Sequence, residues 1–471
     1  MAAIQNVNRK WWTLLSIGIG TFMPALDTSV VNTGLPIVGK TYHSEVASVE
    51  WVVTIYLLGL SSLLLSFGRL GDMRGHKLVY ILGFGVFVVS SMLCGLAPNL
   101  LTLVIFRGLQ AIGAAMLAAN SPAILTKNFP AEQRGQALGM QATMTYLGLT
   151  VGPSFGGWLA SWLGWRAVFY INFPVGLLAL WLSLRSIPDD REHKVSESFD
   201  WPGAVVFMLA LSSLLLGLNQ GHKLGWGSPQ ILTLLGGAVL LGFLFLWLEN
   251  RARNPMIDLN LFRQKHFSLT TSSAILNYIG VYSVIFLMPF YLIQGRMFSP
   301  AEAGLLLTAQ PVIMAITAPI SGTLSDRMGT RWPAMVGMAG LTIGLFLLSR
   351  LGPESSVQSI ILCLGVMGLG TGIFISPNNS ALMGAAPRHR QGIAAGILAT
   401  ARNFGMVLGV GISGSIFTTM ITRGDASSVV GEASGEVFFS AIQLCFLVAS
   451  GIALLGVVTS ASRVEGVARG K

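Results

Sequence analysis

A chain of 471 residues that is 53% hydrophobic and only 10% charged cannot cover a water-soluble surface, which carries roughly 25% charge. Its net charge of +10 does not mark a nucleic-acid surface, because Lys and Arg stand singly or in small groups between apolar runs. The composition predicts an all-α polytopic membrane protein with the lipid bilayer as its first partner.

Taking about 20 apolar residues as one span, the chain reads in order as spans near 11–34, 49–68, 78–97, 100–120, 136–160 and 165–184. Two follow near 201–219 and 230–249, then six near 267–293, 303–324, 333–350, 357–377, 392–420 and 437–460. With both termini placed on the cytoplasmic side, 21 of the 29 Lys and Arg residues fall in inside segments and 6 in outside ones. That asymmetry supports both the count of fourteen spans and the orientation. The run after Arg9-Lys10 is too long for a signal h-region and is read as the first span. Cys94, Cys363 and Cys445 lie in separate apolar runs, so neither a disulfide framework nor a metal site is expected.

The first span carries an acid, Asp27. At 1.5 Å per residue it lies roughly 22 Å from the inner start of its helix. Arg107, one of two basic residues inside spans (the other is Arg402), lies roughly 10 Å from the outer start of the fourth. Both depths fall in the outer half of a slab about 30 Å thick, so the two are expected to pair. An acid in hydrocarbon is costly unless paired or protonated, and its default reading is a proton or cation site. Here Asp27 is expected to carry the proton and Arg107 to tune it; the alternative is a static ion pair that fixes helices one and four. One deep acid favours monocations or neutral lipophiles over dications as cargo.

The chain repeats itself. The frame G-x-L-x-D-x-x-G-x-[KR] occurs from Gly68 to Lys77 and again from Gly322 to Arg331, 254 residues on. Gly148 and Gly152 recur as Gly405 and Gly409 at an offset of 257. The division expected is a six-span bundle over 1–184, a linker with two inserted spans over 185–265, and a second bundle over 266–471. Parallel repeats with a site at their interface are a transporter architecture. In the repeated loops, Gly68, Asp72, Arg74, Gly75 and Lys77, with Asp326, Arg327 and Arg331, are candidates for a two-state gate. Carboxylates there can cap helix N-termini; a merely orienting basic loop is the alternative.

Gly148, Gly152 and Gly156 share one helix face, which permits close helix approach, and Pro153 beside them opens the hydrogen-bond ladder. Polar and aromatic residues within spans could line a cavity: Asn32, Tyr56, Gln110, Asn120, Gln141, Tyr146, Tyr278, Tyr282, Gln310, Asn378, Asn379 and, beside Arg402, Asn403. Any one of them is more often interhelical glue than a ligand contact. Gly34 to Thr41 fits the phosphate-loop pattern but ends a membrane helix with no preceding strand, so it is read as chance. The six histidines lie in predicted loops, and neither H-E-x-x-H nor G-x-S-x-G occurs. No enzyme activity, cofactor or metal is expected.

The Gly68–Lys77 loop, Arg107-Gly108-Leu109-Gln110 and the Gly148–Gly157 stretch together resemble the major facilitator superfamily, and Leu26-Asp27-Thr28-Ser29-Val30-Val31-Asn32 through Leu35-Pro36 resembles the first-helix signature of one branch of it. Trp165-Arg166 and Asn172-Phe173-Pro174-Val175-Gly176 are similar to its fourteen-span drug:proton antiporter branch. Ala111, where the fourth-helix motif usually has Gly, and Glu50, where a polar neutral residue is commoner, depart from the pattern. The resemblance implies a monomer in the bacterial inner membrane that exchanges protons for small amphipathic drugs, dyes or antiseptics by alternating access. It also implies an occluding contact between halves at the glycine-rich fifth helix. A dedicated exporter of one metabolite or lipid, and a non-transporting receptor, are the alternatives.

Overall fold

The computed structural model describes residues 2–44, 46–49, 51–189, 199–225, 227–252, 255, 259–387, 390–424 and 435–463. Glu50 lies outside the described residues, as do the side chains of Asn32 and Pro153 and the surroundings of Gly157 within their helices.

The long helices are α1 (Ala2–Thr41), α2 (Trp51–Arg74), α3 (His76–Gly95), α4 (Leu100–Asn128), α5 (Arg134–Leu163), α6 (Asn172–Ser186) and α7 (Trp201–Leu224). They continue as α8 (Pro229–Arg251), α9 (Lys265–Pro289), α10 (Ala309–Met328), α11 (Arg331–Leu348), α12 (Val357–Ala385), α13 (Gln391–Gly424) and α14 (Gly435–Ala461). Among the described residues, 13 segments are long and apolar enough to cross a membrane. The span expected over 136–160 is present as α5 but is not one of those 13; several of its side chains lie outside the described residues.

Local chemistry sets the boundaries. Asn99 accepts a hydrogen bond from the Thr102 backbone N–H and so caps α4. Ser299 and Glu302 form a capping box that opens the short helix Pro300–Leu307. Gly75 and Gly329 hold positive φ of 94° and 85°, a conformation that glycine adopts without a Cβ penalty. Gly75 alone separates α2 from α3, which corrects the expectation that His76 sits in a loop: it is the first residue of α3 and fully buried. His222 and His266 also fall inside helices rather than loops.

Two compact units emerge. The first holds residues 1–212, 241–259 and 383–400; the second holds 213–240, 260–382 and 401–471. α7 and α8 each divide between the two units, and the start of α13 falls in the first. Within the first unit α1 packs on α5 and α6, and α4 on α2 and α3. Within the second, α14 packs on α9 and α11.

Glycine decides how closely the key pairs approach. A Cβ added to Gly148 would come 2.8 Å from the Phe22 carbonyl oxygen, and one on Gly156 would come 2.6 Å from Val30 Cγ1. The glycine face of α5 therefore meets α1 of its own unit. Small residues there serve backbone-to-backbone packing within one bundle. The second unit repeats the device: Cβ atoms on Gly405 and Gly409 would each come 2.5 Å from a carbonyl oxygen of α9, those of Ile275 and Ile279. Gly148→Val and Gly405→Val are each expected to destabilise the protein by about 1–3 kcal/mol through overpacking. A lowered melting temperature in fluorescence-detected size exclusion would show it.

Candidate transport site

Asp27 on α1 and Arg107 on α4 are 2% and 0% exposed. Asp27 Oδ2 accepts a hydrogen bond from Arg107 Nη1 at 2.5 Å. Asp27 Oδ1 accepts from Gln110 Nε2 at 3.0 Å and from Asn172 Nδ2 at 2.9 Å. The guanidinium is shared further: Nη1 donates to Gln110 Oε1 at 2.8 Å and Nε to the Val52 carbonyl at 3.1 Å. Its carbon lies 4.1 Å from the Tyr56 ring centroid, a cation–π contact.

Three helices, α1, α4 and α6, thus meet at one carboxylate, and a fourth, α2, meets its guanidinium partner. Arg107 and Gln110 reach it together because residues three apart share a helix face. The cluster has no net charge, and both carboxylate oxygens are filled by donors, which is how a charge survives away from water. Tyr56 and Gln110 are fully buried and Asn172 is 2% exposed, so in this conformation protein encloses the cluster.

The sequence reading did not single out Asn172 as a site residue. It starts α6, and its amide also donates to Ser91 Oγ at 2.9 Å, which in turn donates to the Phe169 carbonyl at 2.9 Å. An available signal was that Asp27 needs more donors than one arginine supplies, while Asn172 is polar inside an apolar run. Asn172→Leu leaves Asp27 Oδ1 short of a donor at a buried site. A loss of about 1–3 kcal/mol is expected, read as a lowered melting temperature with Asp27→Asn as the variant that removes the demand.

The Gly68–Lys77 loop forms a second polar cluster, also in the first unit. Asp72, with its side chain 2% exposed, accepts hydrogen bonds from the backbone N–H groups of Gly392 and Ile393, both at 2.8 Å. It thereby fills the free donors at the start of α13 and meets the positive end of that helix dipole. Gly68 and Gly392 pass in backbone contact. His76 Nε2 lies 3.3 Å from Asp72 Oδ1, and His76 Nδ1 lies 2.8 Å from Asn120 Oδ1. The Asn120 amide nitrogen is spent on the Phe67 and Met116 carbonyls, so His76 Nδ1 is the donor. Arg74 is exposed and Lys77 half-buried; in the second copy Asp326 and Arg331 are half-buried and Arg327 exposed. Asp72→Ala is expected to cost about 0.5–2 kcal/mol as the loss of a cap, measured as faster amide hydrogen exchange at Gly392 and Ile393.

Several other expected cavity residues are already engaged. Asn120 belongs to the loop cluster. Asn378, 1% exposed, accepts from Arg463 Nη2 at 2.5 Å. Burial pushes the Arg463 guanidinium down to about 9, so it remains a cation at neutral pH. Gln310 is buried against Met314, and Asn403 is 8% exposed. Gln141, Tyr146, Tyr278, Tyr282, Asn379 and Arg402 are half-buried. Gly34 to Thr41, the phosphate-loop lookalike, is the helical end of α1.

Comparison with known proteins follows the same lines. The chain is 34% identical over 446 residues to the riboflavin transporter RibZ of Clostridioides difficile, covering 94% of this chain and 96% of that one. It is 33% identical over 411 residues to the multidrug resistance protein Stp of Mycobacterium tuberculosis, covering 87% and 76%. The human organic anion transporter MFSD10 superposes with a TM-score of 0.66 at 13% identity, over 96% of this chain and 99% of that one, a likeness of fold alone. The Major Facilitator Superfamily profile matches residues 17–257 and 270–466, and with these buried clusters on a repeated helical frame, the chain is a transporter of that superfamily.

Proposed function

We propose that this transporter exports small amphipathic compounds in exchange for protons, with Asp27 as the proton carrier and both termini in the cytoplasm. Counting α5, it would use fourteen spans of the inner membrane. The observation that carries the reading is the occupancy of Asp27, whose two oxygens take a guanidinium and two amides. A proton on Oδ2 would face Arg107, a donor, rather than an acceptor. Loading a proton and separating the pair must therefore occur together, which ties protonation to a two-state rearrangement. The Asp72 contact at the start of α13 is suited to hold one state closed and to break in the other.

Multidrug resistance proteins among the relatives support polyspecific export. RibZ, matched over nearly its whole length, supports a second reading: dedicated export of one compound by the same mechanism. An efflux panel of unrelated dyes separates the two. The coupling itself is tested in inside-out vesicles with a preformed proton gradient. Added cargo should dissipate the gradient with the native protein and fail to do so with Asp27→Asn, at equal expression. Undiminished transport in that variant would end the proton-carrier reading.

A further inference from the structure

Arg402 is the other guanidinium deep in a span, and it belongs to the second unit. It lies eleven residues beyond Gln391, the start of α13. At 1.5 Å per residue that is roughly 16 Å, near the middle of a hydrocarbon slab about 30 Å thick. Among the described residues no hydrogen bond or ion pair engages its guanidinium, and its Nε is buried without an acceptor. A charge at that depth ordinarily pairs with an acid, a carbonyl or something that enters from water.

Among the described residues no acid lies at its depth. Asp27 is the one described acid more than two residues inside a candidate span; Asp72, Glu249, Glu302, Asp326 and Glu436 all lie within two residues of a span's end. Asp27 is already matched by Arg107. Among the described residues the middle of the spans therefore carries one cation in excess, and two tyrosines of α9 lie in its neighbourhood. The charge of Arg402 reaches Tyr282, and Tyr278 lies near Tyr282. Both tyrosines lie on the stretch of α9 that Gly405 and Gly409 allow α13 to approach, a Cβ on Gly405 falling 2.9 Å from Tyr278 Cβ. Arg402 and both tyrosines are half-buried rather than sealed.

We infer that Arg402, with Tyr282 and Tyr278, forms the cargo's polar subsite, selecting amphipathic compounds with an anionic or strongly hydrogen-bond-accepting group over cations. The guanidinium offers several N–H donors and a permanent charge; the phenols add hydroxyl groups and flat apolar faces. The expectation of monocations or neutral lipophiles over dications, drawn from one deep acid, gives way here to an anion preference, because that acid is already matched by Arg107. The inference rests on the export reading for the cargo's passage but not for its binding.

Fluorescein and ethidium serve as anionic and cationic aromatic probes, titrated by anisotropy onto the purified full-length protein. Fluorescein is expected to bind about tenfold tighter than ethidium or better, and Arg402→Gln to lose about that factor, the usual scale for a hydrogen bond to a charged group. Arg402→Glu should invert the preference. Arg402→Lys, which keeps the charge, should retain the anion preference and covers the case in which Arg402→Gln does not elute as a monodisperse peak. Tighter binding of ethidium by the native protein, or an unchanged fluorescein affinity in Arg402→Gln, overturns the assignment. In proteoliposomes the two readings separate. Arg402-dependent binding without transport of either probe sinks export and leaves the subsite. Transport indifferent to Arg402 does the reverse.

Discussion

A carboxylate held away from water has to be matched, and the first unit is arranged around that requirement. In a low-dielectric interior an unpaired ion costs several kcal/mol or more, so Asp27 draws a guanidinium and two amides from two other helices, α4 and α6. Those partners need their own partners: Arg107 uses the Val52 carbonyl and the Tyr56 ring, and Asn172 uses Ser91. Polar satisfaction thus spreads outward until it reaches backbone carbonyls. On the proposed exchange, a proton on Asp27 would remove the charge that organises the cluster.

The Asp72 cluster obeys the same rule at a helix end. Its carboxylate answers two backbone N–H groups that would otherwise be orphaned at the start of α13. His76 and Asn120 complete the set, with the hydrogen-bond accounting fixing which imidazole nitrogen donates. A motif that reads in one dimension as a basic turn is in three dimensions a carboxylate clamped between an imidazole and a helix dipole.

Much of this was legible in the residues. Apolar run lengths placed the helices, and the 254-residue offset announced the paired turns at Gly75 and Gly329. Simple axial rise put Asp27 and Arg107 at matching depth. What was not legible depended on side-chain direction around each helix. Asn172 looked like part of a signature rather than a donor, and Asn120 and Asn378 looked like cavity walls. His76 looked like a loop residue because one glycine was enough to turn the chain. The glycine face of α5 has the same spacing whichever helix it meets, so only coordinates could assign it to α1.

That last contact bears on how the carboxylate could ever be freed. Gly148, Gly152 and Gly156 seat α5 against α1 along the stretch from Phe22 to Val30, on either side of Asp27. Two backbones touching over two turns behave as one stiff strut, leaving the acid little room to withdraw. The arginine is differently placed, with three rotatable methylenes on a neighbouring helix. On the proposed exchange, the mobile partner would therefore be the base: the anion stands still, and its counter-charge swings away.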